Sequence, residues 1–112
     1  MWHESLIPKL CRVHLIACWR ESLGMYSIII NNKSGYRNHP ATQEYIDCPE
    51  LLHDRLTQVR NEMLKRGYHP KELPEKQSFG GKYKEWESLK IQTDKLKEKS
   101  RTIPSCQCLK VA

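Results

Sequence analysis

The sequence predicts an all-α protein, a single compact domain of about three helices joined by long loops. Three observations point there. Apolar residues recur at helical spacing in three separate stretches, and clusters of Gly, Pro, Asn and Ser lie between those stretches. At 112 residues and 38% hydrophobic content, the chain can bury one modest core and no second one. The domain is expected over residues 1–100, with a flexible C-terminal tail over 101–112.

The first helix is expected from about Lys9 to Leu23, with Pro8 where a first turn tolerates it and Gly24 as a candidate break. Tyr26 to Ile30 reads either as a strand or as a prolongation of that helix into Asn31-Asn32, and the helical reading is the one taken here. Asn31 to Pro40 has a polar, positively charged loop composition suited to phosphate contact. Asp47-Cys48-Pro49-Glu50 reads as a capping box, with Ile46 and Leu51 as a hydrophobic staple. Leu52, Leu56, Val59 and Met63 then keep a helical rhythm to Lys65-Arg66-Gly67, which predicts a helix over 50–66. Pro70, Pro74 and Gly80-Gly81 punctuate a connector. A third helix is expected over about 82–99, where Trp86, Leu89 and Leu96 recur at helical spacing, with Trp86 read as core and a basic solvent face that includes Lys82 and Lys84.

Lys plus Arg outnumber Asp plus Glu by 19 to 13, giving a net charge of +6 and a pI near 9.1. Such a balance favours an anionic partner. No stretch reaches the roughly 18 apolar residues of a membrane helix, and the N-terminus lacks the pattern of a secretory signal. An intracellular setting is expected, in the cytoplasm of a bacterium or of a virus-infected cell. Five cysteines, two of them seven residues apart within a helical pattern, do not suggest a disulfide scaffold. Cys106 and Cys108 form a Cys-x-Cys pair, but no Cys-x-x-Cys or His-x-x-x-His partner accompanies them at zinc spacing, so no metal site is expected.

Cys11, His14, Cys18 and Glu21 fall at i, i+3, i+7 and i+10, which places them on one helix face. Three readings remain open. The cysteines can be core residues with His14 and Glu21 as a polar edge. The four can hold a metal, although one straight helix offers a single ion only neighbouring pairs. Or the face can belong to an active site, with Glu21 as acid/base and His14 and Arg20 beside an anionic group.

His14-Leu15-Ile16-Ala17-Cys18-Trp19-Arg20-Glu21 resembles the first-helix motif His-Leu-x-Ala-x-x-Arg-Glu of the pyrimidine-dimer DNA glycosylase/AP lyase (phage endonuclease V) family. Trp2 through Leu10 resembles the starts of uncharacterised bacterial and viral members. His39-Pro40-Ala41-Thr42 and Lys65 through Pro70 resemble their middle, so the likeness spans about residues 2–72. The resemblance implies an endonuclease V-like helical fold in which the N-terminal α-amine lies beside a first-helix glutamate, here Glu21. The amine attacks C1′ of the damaged nucleotide, an imine forms, and β-elimination cleaves the strand. An α-amine suits this role because it is less basic than lysine, so more of it is neutral near physiological pH. His14 and Arg20 match family residues that line the site. The implied partner is double-stranded DNA, damaged and kinked, bound by a monomer with no cofactor, no metal and no membrane.

This chain departs from the family pattern in three places. It begins Met1-Trp2, and a bulky second residue opposes methionine removal, which leaves the Met1 amine as the candidate nucleophile. Gly24 and Met25 stand where a second basic residue is expected. Lys82-Tyr83-Lys84-Glu85-Trp86 is only a loose counterpart of an aromatic, basic C-terminal motif. The catalytic candidates are therefore Met1 and Glu21, and the DNA-contact candidates are His14, Arg20, Lys33, Tyr36, Arg37, His39, Lys82 and Lys84. The alternative is a non-catalytic DNA-binding or interaction protein that keeps the fold. A glycosylase of changed lesion specificity is a third reading.

Overall fold

The computed structural model describes residues 1–103, 106 and 108. Among them there is no strand, as the all-α expectation requires. A 3-10 turn at Ile7–Lys9 leads into α1 (Arg12–Ile30), followed by a second 3-10 turn at Gly35–Asn38, the single-turn α2 (Pro40–Gln43), α3 (Pro49–Lys65) and α4 (Leu89–Thr102). The long helices α1 and α3 pack on each other as the centre of the fold. Their buried faces carry Leu15, Trp19, Met25, Tyr26 and Ile29 from α1, and Leu52, Leu56, Val59 and Met63 from α3. The four α3 residues are those picked out by the helical rhythm. No helix among the described residues is long and apolar enough to cross a membrane.

Both central helices stop for local reasons. Asn32 adopts a left-handed φ of 51° after α1, and Lys33 N–H returns to the Ile28 carbonyl at 3.0 Å. Gly67 has φ of 85° after α3, and Tyr68 N–H returns to the Met63 carbonyl at 2.9 Å. These are Schellman closures, which favour asparagine or glycine at the left-handed position. Gly24 does not break α1, and Tyr26 to Ile30 prolong it, because Tyr26 and Ile29 bury against the core.

Between α3 and α4 the chain runs as an extended strap back along α3. His53 Nε2 donates to the Pro74 carbonyl at 2.8 Å, and the buried Tyr26 hydroxyl donates to the Glu75 carbonyl at 2.6 Å while accepting from Gln77 N–H at 2.8 Å. Lys76 pairs with Asp54 at 2.7 Å. Glu50 accepts from the Ser78 hydroxyl and from the Phe79 and Gly80 amides at 2.7, 3.1 and 2.9 Å. The Ser78 bond, followed by backbone amides, pulls the Glu50 carboxyl down to about 2. Gly81 N–H then donates to the Asp47 carbonyl at 2.8 Å. A Cβ at Gly81 would stand 2.4 Å from that oxygen, so the close approach requires glycine.

The strap explains where sequence-based expectations fail. The residue capping α3 is Cys48 without a side-chain bond, because Asp47 pairs with Lys84 at 3.2 Å and Glu50 holds the strap. The staple is absent in that Leu51 is 41% exposed. The last helix begins at Leu89, capped by Ser88 Oγ accepting from Ile91 N–H at 3.3 Å, and not at residue 82. Lys82, Lys84 and Trp86 therefore belong to the strap, and Trp86 is 45% exposed instead of core. The helix continues through Thr102, into the segment expected to be tail. Residues 104, 105, 107 and 109–112 of that segment lie outside the described residues, whereas Cys106 and Cys108 are buried.

Candidate functional site

Three helices hold the first three residues of the chain in place. Met1 Sδ accepts from Ser22 Oγ at 2.9 Å and from Cys18 Sγ at 3.5 Å, both on α1. The Trp2 carbonyl accepts from Arg55 Nη1 of α3 at 3.2 Å. His3 N–H donates to Gln92 Oε1 of α4 at 2.6 Å. These contacts fix residues 1–3 against α1, α3 and α4.

Met1 and Trp2 form part of the wall of a cavity of about 430 Å³. Glu21, Ser22 and Met25 of α1 line it, together with Tyr36 and His39 from the loop before α2 and Trp86 and Gln92 from the C-terminal part. The volume lies in the range of small-ligand sites. Tyr36 stacks on His39 at 4.3 Å, and His39 meets the Trp86 ring edge-on at 5.7 Å, giving an aromatic rim. Glu87 also lines the cavity but is paired with Lys95, whose ammonium lies over the Trp86 ring. Glu21 is exposed and carries no ion pair among the described residues.

The electrostatic neighbourhood of the chain terminus includes a carboxylate that sequence reasoning missed. Glu44 is only 2% exposed. Burial pushes its carboxyl above the usual range, opposed first by the Tyr83 hydroxyl at 2.7 Å and then by the positive N-terminal amine, the Trp86 backbone and Arg55. The same amine opposes the rise that burial imposes on the Cys18 thiol. Tyr83 is raised in turn by burial and by its bond to Glu44, and burial lifts Tyr45 to about 12. Glu44 has no signal in the sequence, since its partners are distant residues.

The residues singled out in the sequence separate into groups. Met1, Glu21, Tyr36 and His39 meet at the cavity. Arg37 is half-buried beside it in sequence, with Nη1 buried and lacking a partner among the described residues. Lys33 is exposed at the end of α1 with Nζ 3.3 Å from Ser27 Oγ, Lys82 is exposed on the strap, and Lys84 pairs with Asp47. Arg20 lies in a separate concavity of about 600 Å³ together with Arg12, Tyr68, His69 and Lys71. His14 is also away from the cavity. Its Nδ1 is 3.1 Å from both Cys11 Sγ and Cys108 Sγ and 3.5 Å from Cys106 Sγ. These four ligand-type atoms all lie within 4.8 Å of one another, so the fold assembles a Cys/His group that linear spacing hides.

A sequence model of the family described as Pyrimidine dimer DNA glycosylase matches residues 1–76, from the pinned N-terminus through α3 into the strap. No curated protein and no solved structure matches the chain. The match covers 76 of 112 residues and contains the helix that carries Glu21, so the chain belongs to the pyrimidine dimer DNA glycosylase family, a family of DNA repair.

Proposed function

We propose that this protein is a glycosylase/AP lyase acting on duplex DNA that carries pyrimidine dimers or abasic sites, with the Met1 amine as nucleophile and Glu21 as acid/base. The observation that carries the reading is that Met1 and Glu21 line one aromatic-rimmed cavity, while Glu87, the only other acidic residue lining it among the described residues, is paired with Lys95. The neutral amine adds to C1′ of an extruded nucleotide and the base, or water at an abasic site, departs. Glu21 takes a proton from the new C1′ ammonium and, where the sugar ring is still closed, returns it to O4′ as the nitrogen lone pair opens the C1′–O4′ bond, leaving an iminium and a free Glu21 carboxylate. The Glu21 carboxylate then takes a C2′ proton, and the electron pair expels the 3′ phosphate in β-elimination. The pins at Met1, Trp2 and His3 hold the amine in place, so that less ordering is needed at the reacting distance.

Trp86, His39 and Tyr36 supply flat faces against which an unstacked base can rest. Lys33, Arg37, Lys82 and Lys84 are the proposed backbone contacts on the same reading. A kinked duplex, a monomeric enzyme and an intracellular setting complete it. Arg20 contributes from the separate concavity, where Arg12 and Lys71 join it in a second cationic surface.

The test is borohydride trapping on a duplex with one abasic site. A covalent adduct is expected with the native N-terminus, none after N-terminal acetylation, and a strand-cleavage loss of at least a hundredfold for Glu21→Gln. Salt-sensitive DNA binding with no adduct would replace this reading with a non-catalytic DNA-binding protein. Activity unaffected by Glu21→Gln would remove that residue from the mechanism.

A further inference from the structure

We propose that Cys11, His14, Cys106 and Cys108 bind one zinc ion, which ties the segment after α4 to the start of α1. This site is independent of the cavity and of the proposed reaction. A tetrahedral ion about 2.3 Å from sulfur and about 2.0–2.1 Å from nitrogen holds each sulfur about 3.5 Å from that nitrogen. His14 Nδ1 lies 3.1, 3.1 and 3.5 Å from the sulfurs of Cys11, Cys108 and Cys106. The three sulfurs and the nitrogen are mutually within 4.8 Å, and three of the four residues are buried. The donor set, three thiolates and one imidazole, is that of closed structural zinc sites and leaves no position for water.

Local geometry supports the same ion. Cys11 stands at the N-terminal boundary of α1 with His14 one turn on, so both project from the same face of the helix. The Cys11 amide donates to Cys108 Sγ at 3.1 Å. An N–H donor to a ligating sulfur is the kind of outer contact that orients metal thiolates. Zinc binding converts three thiols to thiolates and releases three protons to solvent, with no change of oxidation state.

The fold has a use for such a tie. α4 buries only Gln92 and Leu96 of its residues, a thin interface for a helix that reaches the cavity through Gln92. Residues 1–76 carry the family likeness, and Cys106 and Cys108 lie outside it, so the ion joins the part shared with the family to the part that is not.

The test is metal analysis of the full-length protein, purified without chelator and again after reduction and zinc reconstitution, with cobalt substitution as a spectroscopic reading. The expected result is about one zinc per chain and a cobalt spectrum with thiolate charge-transfer and intense tetrahedral bands. Both are lost in Cys106→Ser/Cys108→Ser and kept in Cys48→Ser, which alters a buried cysteine outside the cluster. No zinc in the reduced, reconstituted wild-type protein would overturn the proposal. So would an octahedral cobalt spectrum, or metal retained in full by the double variant. The wild-type measurements decide the matter even where the double variant does not fold.

Discussion

Removing one oxygen atom, in Tyr26→Phe, isolates the attachment of the strap. The ring is buried at 1% exposure and packs at 5.6 Å from His53, so a phenylalanine keeps the volume and the packing. What disappears is the hydroxyl that gives one hydrogen bond to the Glu75 carbonyl and takes one from Gln77 N–H. Each such bond contributes about 1 kcal/mol net, and because Glu75 and Gln77 are exposed and their freed groups can bond water, a loss of about 1–2 kcal/mol follows. For a domain with a total stability of about 5–15 kcal/mol that is a large share. Urea unfolding should show the midpoint falling with little change in slope, since the surface exposed on unfolding is nearly the same. Hydrogen exchange should show the Gln77 amide losing protection more than amides within α3. A stability change under about 0.5 kcal/mol with Gln77 still protected would mean that the strap is held by its other contacts, and the reasoning would be wrong.

Three further outcomes are expected. Gly81→Ala forces a carbon to within 2.4 Å of the Asp47 carbonyl, so calorimetry should record about 1–3 kcal/mol of destabilisation; a neutral result would contradict the close approach. The folded-state Glu50 carboxyl sits at about 2 against an ordinary 4.5, so its hold on the strap is complete above 4.5 and is lost as pH falls towards 2. Exchange at the Phe79 and Gly80 amides should accelerate across that window in the wild-type protein and lose its pH dependence in Glu50→Gln. Trp86→Ala should weaken binding to abasic duplex by about 5- to 150-fold, the worth of one base stacked on an aromatic ring at about 1–3 kcal/mol, while leaving thermal stability almost unchanged. Equal affinity would exclude Trp86 from the binding surface.

What could be read from the sequence follows from how local each determinant is. The rhythm Leu52, Leu56, Val59, Met63 and the terminal Gly67 specify α3 within one stretch, and the structure bears both out. The start of α4 could not be read this way. Residues 82–87 have helical spacing, but Tyr83 and Lys84 are drawn to Glu44 and Asp47, some 40 residues earlier, and that competition is invisible in a local pattern. Asp47 and Glu50 likewise have the residue types of a capping box, yet distant partners claim both. At the cavity, Met1 and Glu21 came from the family motif, and Tyr36 and His39 from a loop composition. Ser22, Glu44 and Gln92 had no signal because their significance lies in which distant backbone or side chain they meet. The same holds for the cysteines: His14 and Cys108 are 94 residues apart in the chain and 3.1 Å apart in space.

The bond from His3 N–H to Gln92 spans 89 positions, so the ties on residues 1–3 differ widely in the length of chain each must close. The contacts of Met1 with Cys18 and Ser22 close 17 and 21 positions, and the bond from Arg55 to the Trp2 carbonyl closes 53. Closing a longer loop costs more entropy before its contact is gained. On refolding, the ties to α1 therefore precede the tie to α4, and the cavity wall that Gln92 shares with Met1 and Trp2 is completed only when α4 docks.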